Sequence, residues 1–424
     1  MTDATRKFIR DHAADDLSQL LLNASRYQDV DVREAVTQIK AQKQIKDKLP
    51  EWYRDDRLIF PSSLAVEQSS SVNTALYKQR LVREEDRLCD LTGGLGVDTF
   101  YLSKKVRHII YIEKNKACCD AAHTNFCLLG VTNVQIINDD AKEILKKKDG
   151  RLSGLNVFYI DPSRRGAGDR RLFTLNECEP DLKQIMALLP KPYRMIIKLS
   201  PMLDVSQALS QIPSVQEVHV ISVKNECKEL LFVSETSFEQ IDSPCDSADE
   251  TGSLPDANIY NNKTKHPKPD PLIYCVNYTT DGTEQAFCFR LSDERTAVAS
   301  LAKSVGPFLY EPNASLLKAG AYKIVACRYG IEKLHSSSHL YTSNYPVAAF
   351  PGRIFEITEV LPFNNRMCKT INRSIRQANI SVRNFPLTVE ELRKRTRISD
   401  GGDVFLFATT LPDNQKALIK CHKK

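Results

Sequence analysis

Over the first 80 residues, apolar positions recur three or four apart. Asp16-Leu17-Ser18-Gln19-Leu20-Leu21-Leu22 and the stretch from Val32 to Leu49 both carry this spacing, and Pro50 stops the second, so a helical region is predicted over 1–80. From Leu88 the pattern shortens into apolar runs at about 88–92, 108–113, 134–138, 157–160, 194–199, 217–223 and 229–234. The first five are roughly 15 to 35 residues apart, room for a crossover helix each, which predicts parallel strands in one sheet. Only Lys224 to Lys228 parts the last two, so these should form an antiparallel hairpin. The fold expected over 81–236 is therefore α/β: a seven-stranded, doubly wound, Rossmann-like sheet.

Residues 237–271 turn polar, with Pro244, Pro255, Pro267, Pro269 and Pro271 among them, and read as a linker. Strand-like order resumes at Leu272 to Tyr278 and Ala286 to Arg290, followed by a helix pattern near 311–328. This predicts an α+β segment over 272–350. Strand candidates at 352–357 and 403–409, with helix candidates at 366–378 and 388–396, predict a second small α+β module over 351–424.

With 424 residues, 42% hydrophobic and 26% charged, the chain has an ordinary globular mix and enough length for several cores. No run approaches the ~18 apolar residues of a membrane-spanning helix. The first ten residues are polar and unlike a secretory signal, so a cytoplasmic protein without a membrane part is expected. The twelve cysteines are scattered, form no Cys-x-x-Cys, and several (Cys89, Cys275, Cys288) sit in apolar runs, which predicts reduced thiols. His335 and His339 have the offset of one helical face, but serines fill the gap and no acidic ligand follows; no metal is expected.

Charge changes the picture more. The net +6 hides an asymmetry: residues 351–424 hold 14 Lys and Arg against 7 Asp and Glu, and the rest of the chain 45 against 46. A neutral body with a basic end fits a partner carrying phosphates. Arg393, Lys394, Arg395 and Arg397 are the densest cluster, although such a run also reads as one solvated helix face.

The first strand ends in Asp90 and runs through Leu91-Thr92-Gly93-Gly94-Leu95-Gly96-Val97-Asp98 into a helix. Glycines there let a ligand approach the backbone at a helix N-terminus. Two ligands compete for the turn. A dinucleotide wants Gly-x-Gly-x-x-Gly, whereas this chain has Gly94-x-Gly96 and then Thr99, with an acid just upstream; that acid suits the ammonium and sulfonium of S-adenosylmethionine better than a pyrophosphate. Glu113 closes the second strand, where a carboxylate can accept both ribose hydroxyls. Asp139-Asp140-Ala141 closes the third, beside an adenine amino group. Asp161-Pro162-Ser163-Arg164-Arg165-Gly166 ends the fourth, over the position of a methyl acceptor.

These motifs resemble those of the class I S-adenosylmethionine-dependent methyltransferases. Nearly the whole chain is similar to bacterial members with a ferredoxin-like segment and a THUMP-like end, through Gln68-Ser69-Ser70, Thr74-Ala75-x-Tyr77-Lys78, Glu311-Pro312-Asn313-Ala314, Ser338-His339-Leu340-Tyr341-Thr342-Ser343 and Phe385-Pro386-Leu387-Thr388 through Lys394. The resemblance implies S-adenosylmethionine as cofactor. Its binding residues would be Gln68, Asp90, Thr92, Gly93, Gly94, Gly96, Glu113 and Asp140, with Asp161, Pro162 and Arg164 at the acceptor. It also implies RNA, tRNA or rRNA, as partner, held by Arg165, Arg393, Lys394, Arg395 and Arg397. Asp161-Pro162-Ser163-Arg164 is similar to the Asp-Pro-Pro-Arg of RNA uracil-5-methyltransferases, but Lys198-Leu199-Ser200-Pro201 stands where their nucleophilic cysteine would be, so direct transfer without a covalent intermediate is expected. A protein or small-molecule acceptor, or RNA binding without catalysis, are the competing readings.

Overall fold

The computed structural model describes residues 1–164, 175, 178–212, 214–236 and 270–424. The described residues divide into two compact units, one of 1–216 and 231–236, the other of 217–230 and 270–424. The predicted linker lies, as far as residue 269, outside the described residues.

The first unit opens with helices α1 (Asp3–Asp11), α2 (Leu17–Leu22), α3 (Val32–Ile45), α4 (Pro50–Tyr53), α5 (Ser63–Gln68) and α6 (Val72–Lys78). Side chains set their starts. Asp16 and Asp31 accept backbone N–H groups of α2 and α3, and Ser71 with Thr74 forms a capping box on α6; each cap contributes about 1 kcal/mol. Ile45, Trp52, Val66 and Ala75 from this region share a core with Phe100, Tyr101 and Phe126.

Strands and helices then alternate: β1 (Arg87–Asp90), α7 (Val97–Ser103), β2 (His108–Ile112), α8 (Lys116–Leu128), β3 (Val134–Ile137), α9 (Ala141–Lys146) and β4 (Val157–Ile160). A short antiparallel pair, β5 (Ser163–Arg164) and β6 (Cys178–Glu179), precedes α10 (Leu182–Leu188), β7 (Arg194–Leu199), α11 (Val205–Gln211), β8 (Val215–Val223) and β9 (Glu226–Glu235). β1 pairs in parallel with β2 and β4, β2 with β3, and β4 with β7. The sheet of this unit runs β9-β7-β4-β1-β2-β3, so the strand order reverses between β1 and β4 and opens a crevice at their C-terminal ends. The α/β doubly wound expectation holds, and the five crossover strands are parallel as the spacing predicts. The β8–β9 turn is tighter than expected. Lys224 and Asn225, both at positive φ (53° and 61°), form a two-residue connection of the I′ kind without a glycine to announce it.

In the second unit β10 (Leu272–Tyr278) pairs in parallel with β8 and antiparallel with β11 (Glu284–Arg290). Residues 272–290, expected in the segment that runs to 350, instead extend the sheet of β8, because Ile273 and Cys275 are buried in register with Val218 and Val220. Then follow α12 (Leu291–Thr296), β12 (Phe308–Pro312), α13 (Ala314–Ala319), α14 (Ile324–Tyr329), β13 (Glu332–His335), β14 (Ser338–Ser343), β15 (Gly352–Pro362), α15 (Asn365–Thr370), β16 (Asn379–Arg383), α16 (Val389–Thr396), β17 (Val404–Thr410) and β18 (Lys416–Lys423). A second sheet runs β13-β14-β12-β15-β18-β17-β16. The stretch 311–328, expected helical, begins as strand β12. Helix starts only where Asn313 caps α13, and Gly320, at φ 75°, ends it. His335 and His339 lie on the two strands of a hairpin, not on one helical face. Among the described residues no cluster of three metal-ligating side chains occurs, no helix is long and apolar enough to cross a membrane, and eleven cysteines are free thiols.

Candidate functional site

The β1–α7 turn is built by close approach. A Cβ on Gly93 would lie 2.1 Å from the ring of Tyr111, and one on Gly96, at φ 82°, would lie 2.8 Å from Phe126. The Tyr111 hydroxyl donates to the Gly94 carbonyl at 2.6 Å, and the Gly94 N–H donates to Glu113 Oε2 at 2.9 Å. β2 thus supplies both the floor and the outer anchor of the turn. Beside it lies a cavity of about 310 Å3 within the first unit, at the small end of the usual ligand-pocket range.

Strand-end acids converge on this cavity. Asp90, Glu113, Asp139, Asp140 and Asp161 all line it, as do Gln68, Thr92, Gly93, Gly94 and Gly96. Glu113 Oε1 accepts the Asn115 N–H at 2.7 Å. Asp140 Oδ1 caps α9 through the Lys142 and Glu143 N–H groups. Asp90 is 1% exposed and accepts from the Thr92 N–H and, at 2.5 Å, from the Thr99 hydroxyl. Burial raises its pKa from 3.8 to about 7, and the neighbouring charges of Asp98 and Asp161 push the same way. Thr92 Oγ1 accepts the Asp161 N–H at 2.7 Å, which ties the first loop to the fourth.

At the Asp161 end of the cavity sits an ion network. Asp98 Oδ1 lies 3.1 Å from Lys78 Nζ; Oδ2 accepts from the hydroxyls of Ser70 at 2.8 Å and Tyr159 at 2.7 Å and lies 3.7 Å from Lys198 Nζ. Lys198 Nζ also donates to Ser70 Oγ at 3.2 Å and to Asp161 Oδ2 at 2.5 Å. Burial works to raise the Asp98 pKa. The two ammonium groups and two hydroxyls outweigh it and hold the carboxyl well below the usual carboxylate range.

Other expected residues are placed less directly. Pro162 is not among the lining residues, though both its neighbours are, and Arg164 contributes backbone to β5. The Arg164 side chain and all of Arg165 lie outside what the structure describes. Tyr77 is buried on α6 and is not part of the lining. A thiol does reach the cavity: Cys118 lines it from α8, with burial raising its pKa to about 11.

Comparison with known proteins places the chain. A family profile described as a ferredoxin-like domain matches residues 308–351, and one described as THUMP domain-like matches 352–423. A crystal structure from Porphyromonas gingivalis W83, of a protein provisionally assigned as a methyltransferase, superposes with a TM-score of 0.81 at 34% sequence identity, covering 99% of this chain and 97% of that one. The chain belongs to this family of S-adenosylmethionine-dependent methyltransferases with ferredoxin-like and THUMP-like modules. Over 122 residues it is also 27% identical to the 23S rRNA (uracil(1939)-C(5))-methyltransferase RlmD of Klebsiella pneumoniae (strain 342), and 28% identical to that of Salmonella typhimurium (strain LT2). The match takes in 27% of this chain and spans about 28% of the length of these curated relatives.

The basic face of this methyltransferase's THUMP-like module is not quite where the densest run suggests. Arg393 is turned inward: its guanidinium donates to the carbonyls of Ile398 and Ala378 and pairs with Asp400. Lys394, Arg395 and Arg397 are exposed. A second set was missed. Arg366, Lys369, Arg373 and Arg376 recur three or four apart along α15 and the turn after it, exposed, opposite buried Met367, Cys368, Ile371 and Ile375. Their amphipathic period was the available signal, overlooked for the consecutive cluster. The ion network was missed likewise, although Lys198 is a charge inside the apolar run Met195 to Leu199.

Proposed function

We propose that the chain binds S-adenosylmethionine in the cavity at the β1–β4 crevice and directs its methyl group to RNA by direct displacement. The observation that carries this reading is that Asp90, Glu113, Asp140 and Asp161, from four strand ends, line one cavity beside the glycine turn. Such a wall favours a ligand bearing positive charge. When bound, the donor supplies a methyl group made electrophilic by its cationic sulfur.

The chain's own residues supply orientation. Glu113 uses one acceptor site on each oxygen for a backbone N–H and keeps lone pairs for the ribose hydroxyls. Asp140 spends Oδ1 on its helix cap and keeps Oδ2 for an adenine amino group. Gly93 and Gly94 let the ligand lie against the backbone, with Gln68 and Thr92 on the walls. Asp161 and Pro162 set the acceptor at the far end. The covalent route of the RNA uracil-5-methyltransferases that the acceptor motif resembles is disfavoured, because Lys198-Leu199-Ser200-Pro201 offers no thiol after the fifth parallel strand, and burial pushes the Cys118 thiol on α8 up to about 11. RNA as acceptor, tRNA or rRNA, is supported by those relatives' rRNA substrate and by the exposed cations of α15 and α16, which suit phosphates.

Calorimetry with S-adenosylmethionine and its demethylated product, followed by incubation of labelled donor with total RNA and digestion to nucleosides, tests the reading. Heat from both ligands and label in a nucleoside are expected. No heat from either, with tight binding of a nicotinamide nucleotide, would overturn it; label in protein or metabolites alone would move the acceptor.

A further inference from the structure

The pairing of Asp161 with Lys198 narrows the acceptor. Asp161 lines the cavity with its side chain 34% exposed, and one of its oxygens receives the Lys198 ammonium at 2.5 Å. Lys198 lines the same cavity, its side chain 11% exposed, and is braced by Ser70 and Asp98. Among the described residues the charged groups around the pair are Asp98 from the start of α7, itself paired with the Lys78 ammonium of α6, and Asp90 from β1. A fixed cation therefore stands within hydrogen-bond distance of the group best placed to take a proton.

That position carries chemical information. Methylation of a neutral amine, or of a ring nitrogen through its lone pair, builds positive charge on the acceptor, which a neighbouring ammonium opposes. Methylation of a group that sheds a proton builds negative charge, which the same ammonium stabilises. We propose that the acceptor is protic and is methylated as its anion: the N–H of a nucleobase lactam, whose carbonyl faces Lys198, or a ribose hydroxyl. This rests on the methyl-transfer reading above. The acceptor's N–H or O–H bond breaks and its proton passes to an Asp161 oxygen; the electron pair left behind forms the new bond to the methyl carbon as the donor's S–C bond breaks. Asp161 is the catalytic residue, and Lys198 holds the developing charge on the acceptor oxygen. Exocyclic amines, adenine N1, guanine N7 and pyrimidine C5 are excluded as targets.

The test uses the full chain, labelled S-adenosylmethionine and total RNA from cells lacking the gene, digested to nucleosides. Label on a lactam nitrogen or on a 2′-oxygen supports the proposal, and the two products tell the two sources apart. Label on an exocyclic amine, an unprotonated ring nitrogen or a carbon overturns it and leaves methyl transfer standing. Donor binding with no labelled nucleoside overturns both. Lys198→Gln keeps a donor to Asp161 without the charge, and turnover is expected to fall about 100-fold while donor affinity by calorimetry stays within about threefold. Lys198→Arg should recover part of the loss. In Asp161→Asn turnover should fall by a similar factor and climb with pH as the acceptor ionises unaided, a slope that a purely structural role would not produce. Unchanged turnover in Lys198→Gln, or a flat profile in Asp161→Asn, overturns the assignment.

Discussion

Each unit buries a carboxylate between two cations, and the two arrangements differ in what the cations do next. In the first, Asp98 lies between Lys78 and Lys198, and Lys198 reaches on to a cavity-lining acid. In the second, Glu311, its side chain 2% exposed, is gripped by the guanidinium groups of Arg353 and Arg383, which join β12 to β15 and β16. Arginine forks are rigid, and here Arg353 holds Glu311 Oε2 while Arg383 holds Oε1; lysines are point charges on long stems that can serve several partners. The Glu311 clasp ends in itself. The Asp98 network ends in the pocket. A buried ion pair alone is therefore weak grounds for function, and the onward connection is what distinguishes the two.

Substitutions can break that contrast. The largest effect is expected for Asp98→Asn, which leaves the fully buried Lys78 and nearly buried Lys198 without their shared counter-charge; a loss of about 3–5 kcal/mol in urea unfolding is expected, together with weaker donor binding. Glu311→Gln should cost less, about 2 kcal/mol, since both arginines are about a third exposed and can be hydrated. It should leave donor affinity unaltered; an equal fall in both variants would erase the distinction.

Glu113→Ala removes the anchor of the Gly94 N–H and should weaken donor binding by about 1–3 kcal/mol in calorimetry. Asp90 sharpens the picture through pH. A carboxyl raised to about 7 by folding withdraws stability as pH climbs from its ordinary 3.8 towards 7, because the charged form is the one penalised inside. A cationic donor prefers that charged form. Donor affinity is therefore expected to tighten as pH rises through about 7, with proton release in buffers of different ionisation heat, and to lose this dependence in Asp90→Asn. The smallest effect belongs to the basic face. Arg373→Ala should lower the salt slope of RNA binding by about 0.7 per lost phosphate contact, whereas Arg393→Ala should leave the slope alone, since Arg393 is spent on its own module.

What the sequence disclosed follows from what is local. Alternating apolar runs, the Gly93 to Gly96 turn and the acids at strand ends are neighbours of their own signals, and β1, β2, β3, β4 and β7 and the cavity beside the turn fall where these put them. Three features were hidden because their partners are distant in the chain. Lys78, Asp98 and Lys198 meet only once α6, α7 and β7 are assembled. Residues 272–290 declare themselves as strands but not which sheet they join, since Val218 and Val220 would pair with any apolar strand of matching alternation. Arg393 sits in a basic run and looks solvated until Asp400, seven residues on, comes back to meet it.

Tyr111 has a last consequence. Its ring fills the space a side chain on residue 93 would need, and its hydroxyl pins the next peptide, so the glycine turn has no shape of its own apart from the second strand. Recognition and sheet assembly are expected to be lost in a single step on denaturation and regained in one. Retained affinity for the adenosyl ligand then serves as a gauge of whether an altered chain has closed its central strands, before any assay of turnover is attempted.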